Sequence, residues 1–569
     1  MKKEIRISGR SIGDYVIVIP ANALEVERYA AEELKKYIDI ACGTDIAIKI
    51  DSEPVSDCEI LVGETSRRPK DPSLEEEEYE IAATKGQLSI CGGRGRGTLY
   101  GVYTYLEKYL GWRWFSIDTE LVREEAAREI WAGEVFRQKP YYEYRNCMFN
   151  EAQASHELKA KLKFNTAIGK KSSEKLGGSV EYCLPVHTFN KLCPPKVYFE
   201  EHPEYYALRD GERKPTQLCL SNPDVLKIVT ENALEELRKN KQHFISISQN
   251  DNVDYCQCEK CRAVDEEEGS PSGILLRFVN KVAEEIEKEF PDVKVDTLAY
   301  TYTRALPKIT RPRDNVCIRL CSIECCFRHP YIDATCPDNI SFCKDIRDWS
   351  SICKELYIWD YCTDFAHYCL PFPNYGVLLQ NNKFFAKHNV KGMLSLGNYN
   401  GPGADLNQLK TYLFSKLYMD PFMSEDEYNY HMCDFLEGYY GKGWKYIREY
   451  IDILLDTTVN IHFDCYSDAD DHYREFIKRI DEVLSLFDKA YDLAEGVQKD
   501  HVRIARLSVM NIKIATDYED VMALGGQAKE QRLKEKREYL EECIKYNLRL
   551  SENFKHNEDI EEAMNFYKI

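Results

Sequence analysis

The segment His243-Phe-Ile-Ser-Ile-Ser-Gln-Asn-Asp251 is an apolar run that ends abruptly on Gln249, Asn250 and Asp251, with Asn252 next. Amides and a carboxylate gathered at one point can hydrogen-bond sugar hydroxyls or an acetamido group; the bland alternative is an Asx turn that closes a strand. A second run, Asn315-Val-Cys-Ile-Arg-Leu-Cys-Ser-Ile-Glu324, ends on one carboxylate between Ile323 and Cys325. An apolar collar disfavours the ionised form and suits a carboxyl to general-acid work, whereas pairing with Arg319 or Arg328 would make Glu324 structural. A third run, Leu356-Tyr-Ile-Trp-Asp-Tyr361, offers Trp359 as a floor beneath a pyranose ring and Asp360 as its polar neighbour. His187, in Pro185-Val-His-Thr-Phe189, is a candidate for substrate binding or proton transfer, or a structural hydrogen-bonder.

Such groups need a scaffold that brings distant strand ends together. Eight short apolar runs begin near Tyr144, Phe164, Gln217, Phe244, Val293, Val316, Leu356 and Val390, with helical segments between most of them. That alternation predicts an α/β fold, a (β/α)8 TIM-like barrel, with its site at the C-terminal ends of the strands. Arg145, Asn250, Asp251, Tyr300, Glu324, Trp359, Asp360 and Asn398 fall at the ends of these runs. Residues 140–425 are the predicted catalytic barrel. Residues 1–135 read as an N-terminal α/β domain: Tyr15–Pro20, Glu59–Gly63, Glu78–Ile81 and Gln87–Cys91 are strand-like, and Ala23–Ile40 has helical periodicity. Gly92-Gly-Arg-Gly-Arg-Gly97 lacks the Gly-Lys-Ser/Thr ending of a phosphate loop and reads as a tight strand-to-helix turn. Residues 426–569 read as a C-terminal helical domain built from charged amphipathic segments such as Asp470–Leu493 and Gln527–Phe554.

Composition narrows the partners. The net charge of −20 argues against nucleic acid, and no apolar stretch is long enough to cross a membrane. Met1-Lys-Lys-Glu-Ile-Arg6 has no apolar core of a signal peptide, so a cytoplasmic protein is expected, with its 22 cysteines reduced. Cys256-Gln-Cys-Glu-Lys-Cys261 has zinc-ligand spacing over one half. Cys219, at the end of the third run, is the candidate fourth ligand of a structural zinc; clustered free thiols are the alternative. No cofactor is expected for catalysis itself.

Taken in order, Pro185-Val-His-Thr-Phe189, His202-Pro-Glu-Tyr-Tyr206, Gln217-Leu-Cys-Leu-Ser-Asn-Pro223, Ser248-Gln-Asn-Asp-Asn252, Tyr255-Cys-Gln-Cys-Glu-Lys-Cys261, Cys321-Ser-Ile-Glu-Cys-Cys326 and Trp359-Asp-Tyr361 resemble glycoside hydrolase family 163, formerly domain of unknown function 4838. Residues 1–135 also resemble the small α/β domain that precedes the barrel in family 20 hexosaminidases and α-glucuronidases. The resemblance implies an endo-β-N-acetylglucosaminidase acting on an oligosaccharide that contains N-acetylglucosamine, in which the substrate's acetamido oxygen serves as nucleophile. On that expectation Asp251 orients the acetamido group with help from Asn250, and Glu324 is the general acid/base. Trp359, Asp360, His187, Arg145, Tyr300 and Asn398 then bind substrate. The chain departs from the family in its eighth run, Gly392-Met-Leu-Ser-Leu-Gly397, where Ser395 replaces a usual acid. That departure keeps open a glycan-binding pseudoenzyme, and the N-terminal resemblance keeps open a uronic-acid glycosidase using Arg145 and Arg304.

Overall fold

The computed structural model describes residues 3–166, 174–467, 472–516 and 526–554. A first sheet is built from β1 (Val16–Ile19), β2 (Ile48–Ile50), β3 (Glu59–Val62), β4 (Tyr79–Thr84), β5 (Gln87–Gly92) and β6 (Val135–Gln138), in the order β6-β4-β5-β3-β1-β2. Helix α1 (Glu25–Cys42) buries Leu34, Tyr37 and Ile38, which recur at helical spacing, and ends on Gly43 in the left-handed conformation that glycine tolerates. The glycine-rich turn is tight for a steric reason. A Cβ on Gly93 would lie 1.8 Å from the Glu75 carbonyl oxygen, and one on Gly92 would lie 2.1 Å from the backbone of Gly97, where α2 (Gly97–Tyr105) begins.

The second sheet is parallel. Strands β7 (Tyr144–Met148), β10 (Phe244–Ser246), β11 (Lys294–Ala299), β12 (Val316–Cys321), β13 (Glu355–Tyr361) and β14 (Val390–Leu396) pair in the order β7-β14-β13-β12-β11-β10. Between them lies the antiparallel hairpin β8 (Tyr206–Arg209) and β9 (Glu212–Leu218), which pair only with each other. Six of the eight runs are therefore strands of this sheet. The run at Gln217 is not: it is the end of β9, outside the sheet. The run at Phe164 contributes an isolated bridge, Thr166 to Val180. A segment that the sequence reading missed, residues 180–184, lies against β10, with Cys183 N donating to Phe244 O at 2.7 Å and Ser246 N to Leu184 O at 2.8 Å. The observed architecture is thus a six-stranded parallel half-barrel whose edges are approached by two short extended segments.

The helices α3 (Pro223–Lys239), α4 (Glu259–Glu268), α5 (Ser272–Glu289), α6 (Pro337–Ser350), α7 (Leu378–Lys387) and α8 (Asn407–Met419) alternate with or follow the strands. Beyond them the chain is helical: α9 (Glu425–Tyr440), α10 (Trp444–Thr457), α11 (Ile480–Leu493), α12 (Gln498–Thr516) and α13 (Gly526–Lys545). The start of the helical stretch expected from Asp470 and the end of the one expected up to Phe554 differ from these bounds; Asp470 itself lies outside the described residues.

Buried polar links fasten the parts. Asp434 on α9 accepts from Arg113 and Arg123, each at 2.7 Å. Arg96, from the glycine-rich turn, donates to the Phe164 and Gly178 carbonyls at 2.6 and 2.7 Å. That arginine ties the glycine-rich turn to the segments around Phe164 and Gly178. No described helix is long and apolar enough to cross a membrane.

Candidate active site

Side chains alternate across each strand, so one strand sends neighbours to opposite faces. On β13, Tyr357 and Trp359 face the inside of the curved sheet. Tyr357 stacks on Tyr144 with ring centroids 5.4 Å apart. The position opposite both must be bare: a Cβ on Gly392 would lie 2.6 Å from the Tyr357 ring and 2.8 Å from the Tyr144 Cβ. Above this layer the Arg319 guanidinium lies 4.9 Å from the Tyr182 ring centroid, 5.4 Å from Tyr144 and 5.6 Å from Trp359. Its Nε is 3.1 Å from Asp296 Oδ2, while its Nη2 is buried with no hydrogen-bond partner, as is Trp359 Nε1.

At the C-terminal ends three groups converge. Tyr300, after β11, donates its hydroxyl to Asp251 Oδ1 at 3.1 Å. His187 Nε2 stands 4.0 Å from that oxygen. His187 Nδ1 lies 2.7 Å from the Gln249 carbonyl, an acceptor, so Nδ1 donates there and Nε2 is the nitrogen turned to Asp251. Two residues at this edge adopt left-handed backbone: His187 at φ 50° and the β-branched Thr301 at φ 49°. Such strain at side-chain-bearing residues concentrates at functional sites. Burial, then the Asp251 charge, pushes the Tyr300 phenol far above its ordinary value and keeps it a donor.

Glu324 follows the next strand, β12. The expected apolar collar is absent: its side chain is 49% exposed, and Oε2 accepts from Arg304 at 2.7 Å. The partner is Arg304, not Arg319 or Arg328, and Arg304 also binds Asp345 on α6 at 2.8 Å. Burial raises the Cys321 thiol at the end of β12; the Arg319 charge opposes this, and the Asp296, Asp251 and Glu324 charges add to it.

The remaining expected residues are not all brought here. Asn250 spends its amide on Asn190 Oδ1 at 3.0 Å and the Thr216 carbonyl at 2.8 Å, and holds the loop. Asp360 faces the helix layer behind the sheet, where Oδ1 accepts from Ser322 at 2.8 Å and Tyr331 at 2.5 Å; burial pushes its carboxyl up to about 6. Arg145 also faces outwards and is buried, bonding Glu77 and the Lys163 carbonyl at 2.7 Å each. It borders a cavity of about 500 Å³ at the opposite end of the sheet, with Glu143, Lys294 and Glu355. Asn398 donates to Gly401 O at 2.9 Å in its own loop. Ser395 is buried against Tyr418 of α8, behind the sheet, so an acid there would not face the Asp251 group.

The sequence reading missed four residues. Burial raises the Tyr466 phenol, after α10, and the charges of Glu552, near the end of the described chain, and of Asp251 add to this. Tyr399 donates to Glu552 at 3.0 Å. No strand pattern surrounds Tyr466 or Glu552, so only packing reveals them. Glu151, directly after β7, was legible as a strand-end acid. Burial pushes its carboxyl up to about 7, with Asn398 and Asp405 beside it, and its Oε2 has no partner.

Cys219, Cys256, Cys258 and Cys261 meet, with their sulfurs all within 4.8 Å. Cys219 Sγ lies 3.7 Å from Cys258 and 3.8 Å from Cys261. A tetrahedral zinc with ~2.3 Å bonds to sulfur requires an edge of about 3.8 Å, so the thiols fit that ion. The fourth ligand was far in sequence because it arrives on the β8–β9 hairpin.

Residues 127–452 match the family described as domain of unknown function DUF4838. No curated protein matches the chain in sequence. Among solved structures, the chain is similar to BtGH115A, a family GH115 4-O-methyl-α-glucuronidase with specificity for decorated arabinogalactans, at 13% identity and a TM-score of 0.55, covering 90% of this chain and 74% of that one. It is also similar to a GH138 enzyme targeting pectin rhamnogalacturonan II (10% identity, TM-score 0.48, 94% and 73% coverage). A mutant Streptomyces plicatus β-hexosaminidase in complex with its product, GlcNAc, aligns at 12% identity and a TM-score of 0.44, covering 77% of this chain and 93% of that one. The first likeness shows a shared fold.

Proposed function

The chain belongs to the DUF4838 family, and we propose that it is a glycoside hydrolase acting on β-linked N-acetylglucosaminides, with its active site in a closed (β/α)8 barrel. The observation that carries this reading is the Asp251–Tyr300–His187 group after β10 and β11, with Glu324 after the next strand of the same sheet, β12. Asp251 accepts the acetamido N–H of the substrate and stabilises the positive charge that develops there as the acetamido oxygen attacks the anomeric carbon. Tyr300 holds the carboxylate in place. Glu324 gives its proton to the leaving glycosidic oxygen and afterwards takes one from water. Trp359 lines the floor, and Tyr466 and Tyr399 wall the opening. Residues 180–184 and 164–166 serve as the two further staves of the barrel.

The test is release of sugar from a chitobiose-type oligosaccharide. Turnover with that substrate is expected; tight binding without turnover would favour the pseudoenzyme instead. Ser395 is no argument for the pseudoenzyme, since it faces α8.

A second reading, a uronic-acid glycosidase, is favoured by the unpartnered Nη2 of buried Arg319, a donor suited to a sugar carboxylate. Arg145 cannot fill that role from its place behind the sheet. Parallel assays on aryl N-acetylglucosaminide and aryl glucuronide separate the two. We also propose a structural zinc on Cys219, Cys256, Cys258 and Cys261, checked by one metal equivalent that Cys258→Ser removes.

A further inference from the structure

We propose that Cys326, His329, Cys336 and His462 form a second zinc site, which fastens the loop carrying Glu324 to the C-terminal helical region. One potential ligand atom from each lies within 4.8 Å of all the others. Cys326 Sγ is 3.2 Å from His329 Nδ1, and Cys336 Sγ is 3.5 Å from His462 Nδ1. Zinc bonds of ~2.3 Å to sulfur and ~2.0–2.1 Å to nitrogen, at tetrahedral angles, set that edge at about 3.6 Å. Two thiolates and two neutral imidazoles are a complete zinc donor set, and the thiolates neutralise the ion.

The hydrogen-bond geometry points the same way. His329 Nε2 lies 2.9 Å from the Val459 carbonyl. A carbonyl only accepts, so Nε2 donates to it, and Nδ1 is the nitrogen turned to the Cys326 thiol. A metal-bound histidine typically has its far nitrogen fixed by such a carbonyl. Both thiols are buried, Cys326 at 1% and Cys336 at 2% exposure. The rings of His329 and His462 lie 4.7 Å apart and tilted by 51°, so they approach a shared centre without stacking. His462 Nδ1 also lies 3.0 Å from Asp338 Oδ2. Zinc takes over that nitrogen, and Asp338 loses this hydrogen bond.

The placement gives the ion a task. Cys326, His329 and Cys336 occupy the loop between β12 and α6, while His462 follows α10. Beside the cluster Phe327 N donates to Phe463 O at 2.8 Å. Glu324 is two residues before Cys326 and Tyr466 four after His462, so one ion braces both the carboxylate and the aromatic wall of the opening. None of its ligands is shared with the four-cysteine cluster.

The experiment is metal analysis of the full chain purified without chelator, beside Cys326→Ser/Cys336→Ser and, separately, Cys258→Ser. The double variant is expected to lose one zinc relative to wild type, and Cys258→Ser to lose a different one. Zinc content unchanged in the double variant, or a wild-type protein without zinc, overturns the proposal. Should the double variant fail to fold, X-ray absorption at the zinc edge of the wild type decides. Nitrogen scatterers at ~2.0–2.1 Å beside sulfur at ~2.3 Å support the site, and a shell of sulfur alone refutes it. The outcome is independent of whether the protein hydrolyses a glycoside.

Discussion

Tyr300 donates its hydroxyl to Asp251 Oδ1 at 3.1 Å, from the strand next to the one that carries the aspartate. A hydrogen bond to a charged group is worth about 1.5–3 kcal/mol. Tyr300→Phe is therefore expected to lower kcat/KM about tenfold or more with little loss of stability, because the phenyl ring still packs. Asp251→Asn keeps the shape and removes the charge, and is expected to cost more. Steady-state kinetics of both variants on an aryl N-acetylglucosaminide check the order.

Arg304 bonds Glu324 and Asp345 at once. Arg304→Met leaves the buried Asp345 carboxylate without its partner, an uncompensated charge of the kind that costs about 3–5 kcal/mol. Both thermal stability and turnover are expected to fall. Asp345→Asn in the same background should restore much of the stability but not the turnover, which calorimetry and kinetics read separately.

Asp360 supplies a pH signature. Burial lifts its carboxyl from an unfolded value of about 3.9 to about 6 in the folded protein. The folded state then binds the proton more tightly, so this group's contribution is most favourable below pH ~4 and declines as pH rises to ~6, by about 3 kcal/mol in all. Asp360→Asn is expected to flatten the stability-pH curve over that window. Denaturant melts at pH 4, 5, 6 and 7 measure it; an unchanged slope would show that Asp360 does not titrate there.

That residue also marks what the sequence could and could not convey. Six strands were legible because each apolar run stops on polar residues, and α1 was legible from Leu34 and Ile38. The segment at 180–184 was not, being short and carrying Glu181 among its apolar residues. The facing of strand-end residues was not legible either: Trp359 points in and Asp360 out, and one residue of register decides which. The pairing of β13 with β14 shifts between Leu356 and Tyr357. Asp251, Tyr300 and Glu324 were named because they stand at the ends of runs, and His187 because of its loop motif; the structure brings Asp251, Tyr300 and His187 together. Tyr466 and Glu552 follow no strand and could be placed only by the fold.

Lys410 is wholly buried and bonds Asp405 at 2.5 Å, with Tyr375 donating to the same carboxylate. Burial lowers the lysine's pKa and the Asp405 charge opposes that. Asp405→Asn strands the ammonium and is expected to destabilise by about 3–5 kcal/mol. The double variant Asp405→Asn/Lys410→Met should be less destabilised than the single one, as equilibrium unfolding in urea would show.

The central claim is that Glu324 moves the proton. The most direct measurement compares Glu324→Gln with wild type on two N-acetylglucosaminides, one with a poor sugar leaving group and one with a dinitrophenolate that needs no proton. A general acid contributes about 10²–10⁴-fold. The expected result is a loss of that size on the first substrate and a much smaller one on the second. Equal activity of the variant and wild type on the sugar-leaving substrate would contradict the account.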